Sequence, residues 1–205
     1  MYKRQVFFDT NANGTQDVDE DGVEDVVVNL LDGAGMPTGE TTMTDNTGFY
    51  EFTGLIPGDY QVEFVAPTGA VFTEQDSPNA DDTTDSDVDT DTGLSQVVTL
   101  TTGENNPTID AGIFELLSLG NQVWIDVNND GILGGGELGV QGVALALWED
   151  VNNDDLPDMN TGRTAVTDGN GFYLFDNLEP GDYIVQVIPS NFEACLLYTS
   201  PSPRD

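Results

Sequence analysis

The sequence has no histidine, one cysteine and only four basic residues. Each shortage excludes something. Without histidine there is no imidazole for general base work, and no Ser–His or Cys–His pair can form. A single cysteine, Cys195, cannot close an internal disulfide. Lys3, Arg4 and Arg204 sit at the extremes, which leaves Arg163 as the one internal cation. Nucleic acid and anionic membrane surfaces are therefore poor partners, since both require basic patches. No apolar run reaches the roughly 18–20 residues of a membrane-spanning helix. No window places apolar residues at helical spacing, and no glycine loop carries a phosphate-binding lysine.

Carboxylate is in excess. The 38 acidic residues give a net charge of −34. A compact fold with that charge repels itself unless cations offset it. Hydrophobic residues at 38% and aromatics at 9% are enough for small packed cores. The opening MYKRQ and the closing CLLYTSPSPRD differ in character from everything between them. They resemble translated adapter read-through, so residues 1–5 and 195–205 are expected to be non-native and are set aside. The absence of a signal peptide then says nothing about location.

The chain repeats itself. Val6–Asp32 (VFFDTNANGTQDVDEDGVEDVVVNLLD) aligns with Val123–Asp150 (VWIDVNNDGILGGGELGVQGVALALWED), Asp9 pairing with Asp126 and Glu20 with Glu137 at an offset of 117. Thr44–Phe64 aligns with Thr167–Val187 at an offset of 123, the difference being an insertion around Asp150–Asp158. A repeat of about 115 residues is a whole domain, longer than any solenoid unit. One complete module over residues 6–115 and a C-terminally truncated one over 116–194 are expected.

Each module reads as all-β. VVVNLL, YQVEFV, SQVVTLT and TIDAGIFE are short β-branched or alternating runs bounded by Gly, Pro, Asn and Asp, and GVALALWE, GFYLFDNL and YIVQVI repeat the pattern. LIPGDY and LEPGDY carry Pro-Gly, read as a turn with glycine at positive φ. Tyr50, Phe52, Leu55, Tyr60 and Val62 should face one core, and Tyr173, Phe175, Leu178, Tyr183 and Val185 another. Trp124 and Trp148 are read as core or strand-face aromatics. Several short strands with regular turn signals indicate a β-sandwich.

The acidic residues are patterned as well. Asp126–Glu137 (DVNNDGILGGGE) fits the twelve-residue calcium loop of an EF-hand. Asp126, Asn128 and Asp130 occupy positions 1, 3 and 5, Gly131 turns the chain, Ile132 offers its carbonyl, and Glu137 supplies two oxygens. The first copy repeats this with Asp9, Asn11, Asn13, Gly14, Thr15, Asp17 and Glu20. Alternating oxygen ligands let a hard cation gather six to eight donors from one loop. Both loops follow a strand, so they are read as static calcium clamps and not as helix-pair sensors. Weaker metal candidates are Asp19 and Asp21, which overlap the first loop. Asp150, Asn152, Asp154 and Asp158 form another in the insertion, where Thr161 replaces the bidentate glutamate. In DDTTDSDVDTD, Asp85, Asp87 and Asp89 are expected to fold back onto an ion shared with another loop. Paired carboxylates could hydrolyse glycosides, but nearly every acidic cluster falls into a metal-loop pattern, so the chain is read as non-catalytic.

These motifs in this order, with DDTTDSDVD and NNPTIDAGIF closing the first copy, resemble the SdrD B-like repeat of bacterial surface proteins. The resemblance covers nearly all of residues 6–193. It implies tandem immunoglobulin-like β-sandwiches related to the collagen-adhesin B-type domains. It also implies calcium bound in the loops and an extracellular, secreted or cell-surface setting between an adhesive head and the cell. Implied partners are neighbouring modules of the same chain and, through other domains, an extracellular protein or glycan. A competing expectation is a module whose own loops recognise a glycan or protein. Asp25 departs from the family pattern, which has glycine there as Gly142 does. Some relatives carry a lysine–asparagine isopeptide bond; with Lys3 the only lysine, none is expected here.

Overall fold

The computed structural model describes residues 4–78 and 80–189. The readings placed on residues 1–3 and 195–205, and on the end of the second module near 194, lie outside these. The chain divides into two compact units, one up to Leu116 and one from Leu117 onward. Among the described residues no helix is long and apolar enough to cross a membrane.

The first unit contains β1 (Val6–Phe8), β2 (Val27–Asp32), β3 (Pro37–Met43), β4 (Gly58–Val65), β5 (Ala70–Phe72), β6 (Val98–Leu100) and β7 (Ala111–Glu115). One sheet has the order β3-β2-β4-β6 and is antiparallel throughout. The other has the order β1-β7-β5, with β1 parallel to β7. Alternate residues of both sheets point into one core. Val28, Leu30, Val62 and Phe64 come from the first sheet and Val6, Phe72, Ala111 and Ile113 from the second. Seven strands in two facing sheets make an immunoglobulin-like sandwich. Tyr50 lies at its centre, edge-on to Phe52 and Phe64, and its buried hydroxyl donates to the Ile109 carbonyl at 2.8 Å. Phe52, Leu55 and Tyr60 pack against this core from its margin.

The second unit contains β8 (Leu117–Gln122), β9 (Ala144–Glu149), β10 (Met159–Val166), β11 (Phe172–Leu178) and β12 (Tyr183–Val187). They pair as β10-β9-β12 and β11-β8. Leu145, Leu147, Phe175 and Leu178 form its core, with Tyr173, Tyr183 and Val185 packed alongside. Trp148 lies on β9, and Trp124 bridges to Gly139 beside the opening loop. This core is smaller, and among the described residues nothing corresponds to β5, β6 or β7.

Two local expectations resolve differently. Gly58 and Gly181 of the Pro-Gly pairs do not take positive φ, so the turn reading there is corrected. The left-handed residues fall four places earlier, at Gly54 (φ 74°) and Asn177 (φ 49°). The tyrosine hydroxyl closes each loop instead: Tyr60 donates to the Ile56 carbonyl at 2.9 Å and Tyr183 to that of Glu179 at 3.0 Å. Asp25 and Gly142, by contrast, both take positive φ, at 63° and 81°. That is the backbone reason for a glycine at this position, and Asp25 holds the same conformation at some steric cost.

Candidate metal centres

Both opening loops begin where a strand stops pairing. In the first, Asp9 is fully buried just after β1. Its Oδ2 accepts from the Gly14 amide at 2.8 Å and the Thr73 hydroxyl at 2.6 Å, and its Oδ1 from the Asn13 amide at 3.2 Å. Asn11 Oδ1 accepts from the Asn13 amide, and Asn13 Oδ1 from that of Thr15. Asn11 and Asn13 both donate to Asp17 Oδ2, at 2.9 and 3.2 Å. Glu20 spans the loop: Oε1 accepts from the Thr10 amide at 2.7 Å and Oε2 from the Asp17 amide at 3.0 Å.

The second loop repeats the backbone-amide part of this bonding at the same offset. Asp126 accepts from the Gly131 amide at 2.8 Å, Asn128 from Asp130 at 3.1 Å, and Asp130 from Ile132 at 2.8 Å. Glu137 accepts from Val127 at 3.0 Å and Gly134 at 2.7 Å. Positions 4 and 6 take positive φ in both loops, at Ala12 and Gly14 and at Asn129 and Gly131. Amide donors hold the Asp126 carboxyl below its usual range, Gly131 foremost. The two loops differ in setting. Asp9 is sealed beneath Thr73, whereas Asp126 belongs to an exposed loop.

The insertion builds a third loop of the same conformation. Asp150, buried at the end of β9, accepts from the Asp154 and Asp155 amides at 3.1 and 2.8 Å. Positive φ recurs at positions 4 and 6, here Asn153 and Asp155. Asp158 does the work of the missing glutamate, accepting from the Val151 and Asn152 amides at 3.0 and 3.2 Å. Carboxylate oxygens of Asp150, Asp154 and Asp158 lie within 4.8 Å of one another. The sequence marks this loop as a weaker candidate because Thr161 stands at position 12 in place of a glutamate. All three loops offer only oxygen donors, which fits a hard cation such as calcium.

A family model for the SdrD B-like domain matches residues 4–113 and again 117–200. The chain belongs to the SdrD B-like domain family. Among similar curated proteins is serine-aspartate repeat-containing protein F of Staphylococcus epidermidis, 41% identical over 182 residues, covering 88% of this chain and 10% of that protein. Protein I of Staphylococcus saprophyticus is 42% identical over 185 residues, covering 88% of this chain and 9% of its own length. Protein C of Staphylococcus aureus strain N315 is 39% identical, covering 88% and 18%. The chain thus spans a tenth to a fifth of the length of these relatives. A streptococcal ancillary pilin is similar in structure at a TM-score of 0.37 and 15% identity, covering 92% of this chain and 54% of the pilin.

In the first SdrD B-like unit the acidic run folds back onto the opening loop. Thr15 and Asp85 form an antiparallel bridge, and the Ser86 amide donates to the Gly14 carbonyl at 3.1 Å. Asp85 and Asp87 are buried, and each keeps an Oδ1 that accepts no hydrogen bond. Asp89 does not join them. It is exposed and caps a turn, accepting from the Thr92 hydroxyl at 2.7 Å. Asp19 and Asp21 are also exposed. Sequence reading missed Thr73, which clamps Asp9, and Asp76 and Asp82, whose charges act on Asp85 and Asp87. Nothing in the local spacing links these residues; β5 and the main-chain bridge bring them in.

Burial pushes the Asp85 carboxyl up and that of Asp87 up to about 7, with Asp85, Asp82 and Asp76 adding repulsion at Asp87. The folded state therefore holds a proton on Asp87 that the unfolded chain releases near 3.8. Stability falls as pH rises between these values and stays lower above them. In chelator, urea unfolding at pH 5 and pH 8 should show a loss that Asp87→Asn largely removes. Asparagine can still accept from the Asp110 amide, which Asp87 Oδ2 holds at 2.7 Å. Equal losses in both proteins would contradict the assignment.

Proposed function

We propose that the chain is a pair of calcium-clamped structural modules, over residues 6–115 and 116–194, from a bacterial secreted or cell-surface, adhesin-like protein. The observation that carries this reading is the set of backbone-amide bonds to Asp, Asn and Glu oxygens that the two opening loops share at one constant offset. Each loop orders its carboxylates through backbone amides, which leaves further lone pairs for a cation. In the first loop Asp9, Asn11, Asn13, Asp17 and Glu20 would hold it, with the Thr15 carbonyl; in the second, Asp126, Asn128, Asp130 and Glu137, with the Ile132 carbonyl. Asp150, Asn152, Asp154 and Asp158 form a further candidate, and Asp85 and Asp87 a shared one beside the first loop. Bound calcium replaces carboxylate repulsion with coordination, and its binding free energy becomes folding free energy.

The module acts by keeping its shape, with neighbouring modules as its partners along the chain. It carries no catalytic machinery in this reading. Extracellular modules bind calcium with Kd of about 10⁻⁴–10⁻³ M, so the sites fill outside a cell and empty within it. Isothermal titration should show calcium binding in that range, weakened by Glu20→Gln and by Glu137→Gln. No binding up to about 10 mM calcium would sink the proposal. A glycan array probed with the calcium-loaded protein should stay blank if the module is a spacer.

A further inference from the structure

The sequence holds two Asn-Gly pairs, Asn13–Gly14 and Asn170–Gly171. Asparagine before glycine is prone to spontaneous deamidation, because glycine puts no side chain in the way of ring closure. The glycine amide nitrogen gives its proton to solvent and attacks the asparagine Cγ. The Cγ–Nδ2 bond breaks, ammonia leaves and a succinimide ring remains. Water then opens the ring at one carbonyl or the other, giving aspartate or isoaspartate.

The first pair occupies positions 5 and 6 of the first opening loop. Glycine is required at position 6: Gly14 has φ 75°, and a Cβ there would lie 2.8 Å from the Glu74 carbonyl oxygen. The loop therefore cannot shed the hazard at its glycine. The second loop sheds it at position 5, where Asp130 precedes Gly131 and carries no side-chain ammonia to lose.

The first loop restrains the groups that the reaction uses. The Gly14 amide is buried and donates to Asp9 Oδ2 at 2.8 Å. While that bond stands the nitrogen keeps its proton, and the buried carboxylate beside it opposes the anion that must form. The carboxamide is tied at both ends. Asn13 Oδ1 accepts from the Thr15 amide at 2.7 Å, and Nδ2 donates to Asp17 Oδ2 at 3.2 Å. The Ser77 hydroxyl donates to the Asn13 carbonyl at 2.9 Å, which pins the peptide plane between the two residues.

We propose that Asn13 is a deamidation site latched by Asp9, closed while the loop keeps these hydrogen bonds and open once it loses them. The conversion is irreversible, so the converted fraction records the time the loop has spent open. Conversion to aspartate gives the first loop the residue type that Asp130 gives the second. Conversion to isoaspartate routes the main chain through an extra methylene and breaks the spacing of positions 1, 3 and 5. No cation enters this inference.

The test incubates the full chain with chelator in mildly alkaline buffer and follows each asparagine by peptide mass spectrometry, with isoaspartate counted by enzymatic methylation. In the folded parent Asn13 should convert roughly tenfold or more slowly than in the same chain unfolded in urea. Asp9→Ala should remove most of that difference, and Asp9→Asn, which keeps an acceptor for the Gly14 amide, much less of it. Asn170 serves as the internal reference. The Gly171 amide donates to the Asp168 carbonyl at 3.0 Å, a main-chain bond that neither substitution touches, so its rate should not change. Equal conversion of Asn13 in the folded and unfolded parent, or no acceleration by Asp9→Ala, would overturn the proposal. If Asp9→Ala also loses amide protection at Val62, the parent in urea below its unfolding midpoint decides. Conversion of Asn13 that rises with Gly14 amide exchange while Val62 stays protected supports the latch, and conversion that rises only with Val62 exchange overturns it.

Discussion

Chelation should lower the melting temperature of the first unit by about 5–20 °C. The estimate follows from linkage: a cation at ten to a hundred times its Kd stabilises the fold by about 1.4–2.7 kcal/mol per site. In a domain near 100 residues, each 1 kcal/mol moves the midpoint by about 4–8 °C. The direction follows from charge. The protein carries −34 net, and Asp9, Asn11, Asn13, Asp17 and Glu20 are held together by hydrogen bonds within one short loop. Calorimetry in EDTA and in 10 mM calcium (a concentration about ten to a hundred times the Kd expected of an extracellular module) measures the shift. Magnesium should restore less of it, because it demands near-octahedral geometry and gives up its waters reluctantly. If both scans coincide, calcium is not structural here.

Asp9→Ala should cost about 3–5 kcal/mol even in chelator, whereas Asp126→Ala should stay within about 1 kcal/mol. The two residues hold the same loop position and differ in surroundings. Asp9 is fully buried, and its removal leaves the buried Gly14 amide and Thr73 hydroxyl without their acceptor. A buried donor left without an acceptor costs about 1–3 kcal/mol. Asp126 accepts equivalent amide bonds in an exposed loop, where water can replace them. Asp9→Asn should recover much of the loss in chelator, since it keeps an acceptor, yet should not recover the response to calcium. Urea unfolding of the single variants, with and without calcium, separates the two roles. Equal costs for the two alanines would show that Thr73 does not matter to the loop.

The sequence was most readable where one residue type determines a local geometry. Strands β2, β4, β9 and β12 lie on strongly apolar runs, and β2 and β4 bury alternate residues such as Val28 and Leu30 or Val62 and Phe64. Strands β3 and β10 were missed because they are polar and largely exposed, so no hydrophobic period marks them. They are strands because β2 and β9 offer them an edge to pair with. The opening loops were legible because positions 1, 3, 5, 6 and 12 each carry a distinct chemical demand. The placement of Asp85 and Asp87 was only half legible: spacing gave their cluster, but the bridge to Thr15 that separates them from Asp89 is a long-range contact. The Pro-Gly turn failed for a related reason. A tyrosine four residues on from the turn's start closes the loop with its hydroxyl, and that bond does not depend on the glycine's φ.

The parallel pairing of β1 with β7 has a mechanical consequence. Val6, Phe7 and Phe8 lie beside Ala111, Gly112 and Ile113 with both strands running the same way. The entry of the first unit and its exit therefore lie at opposite ends of one hydrogen-bonded pair. Tension applied through the chain slides these strands past each other, so their bonds share the load and must yield together rather than peel apart singly. Resistance to pulling is set by the rate of that rupture and not by the equilibrium stability of the unit.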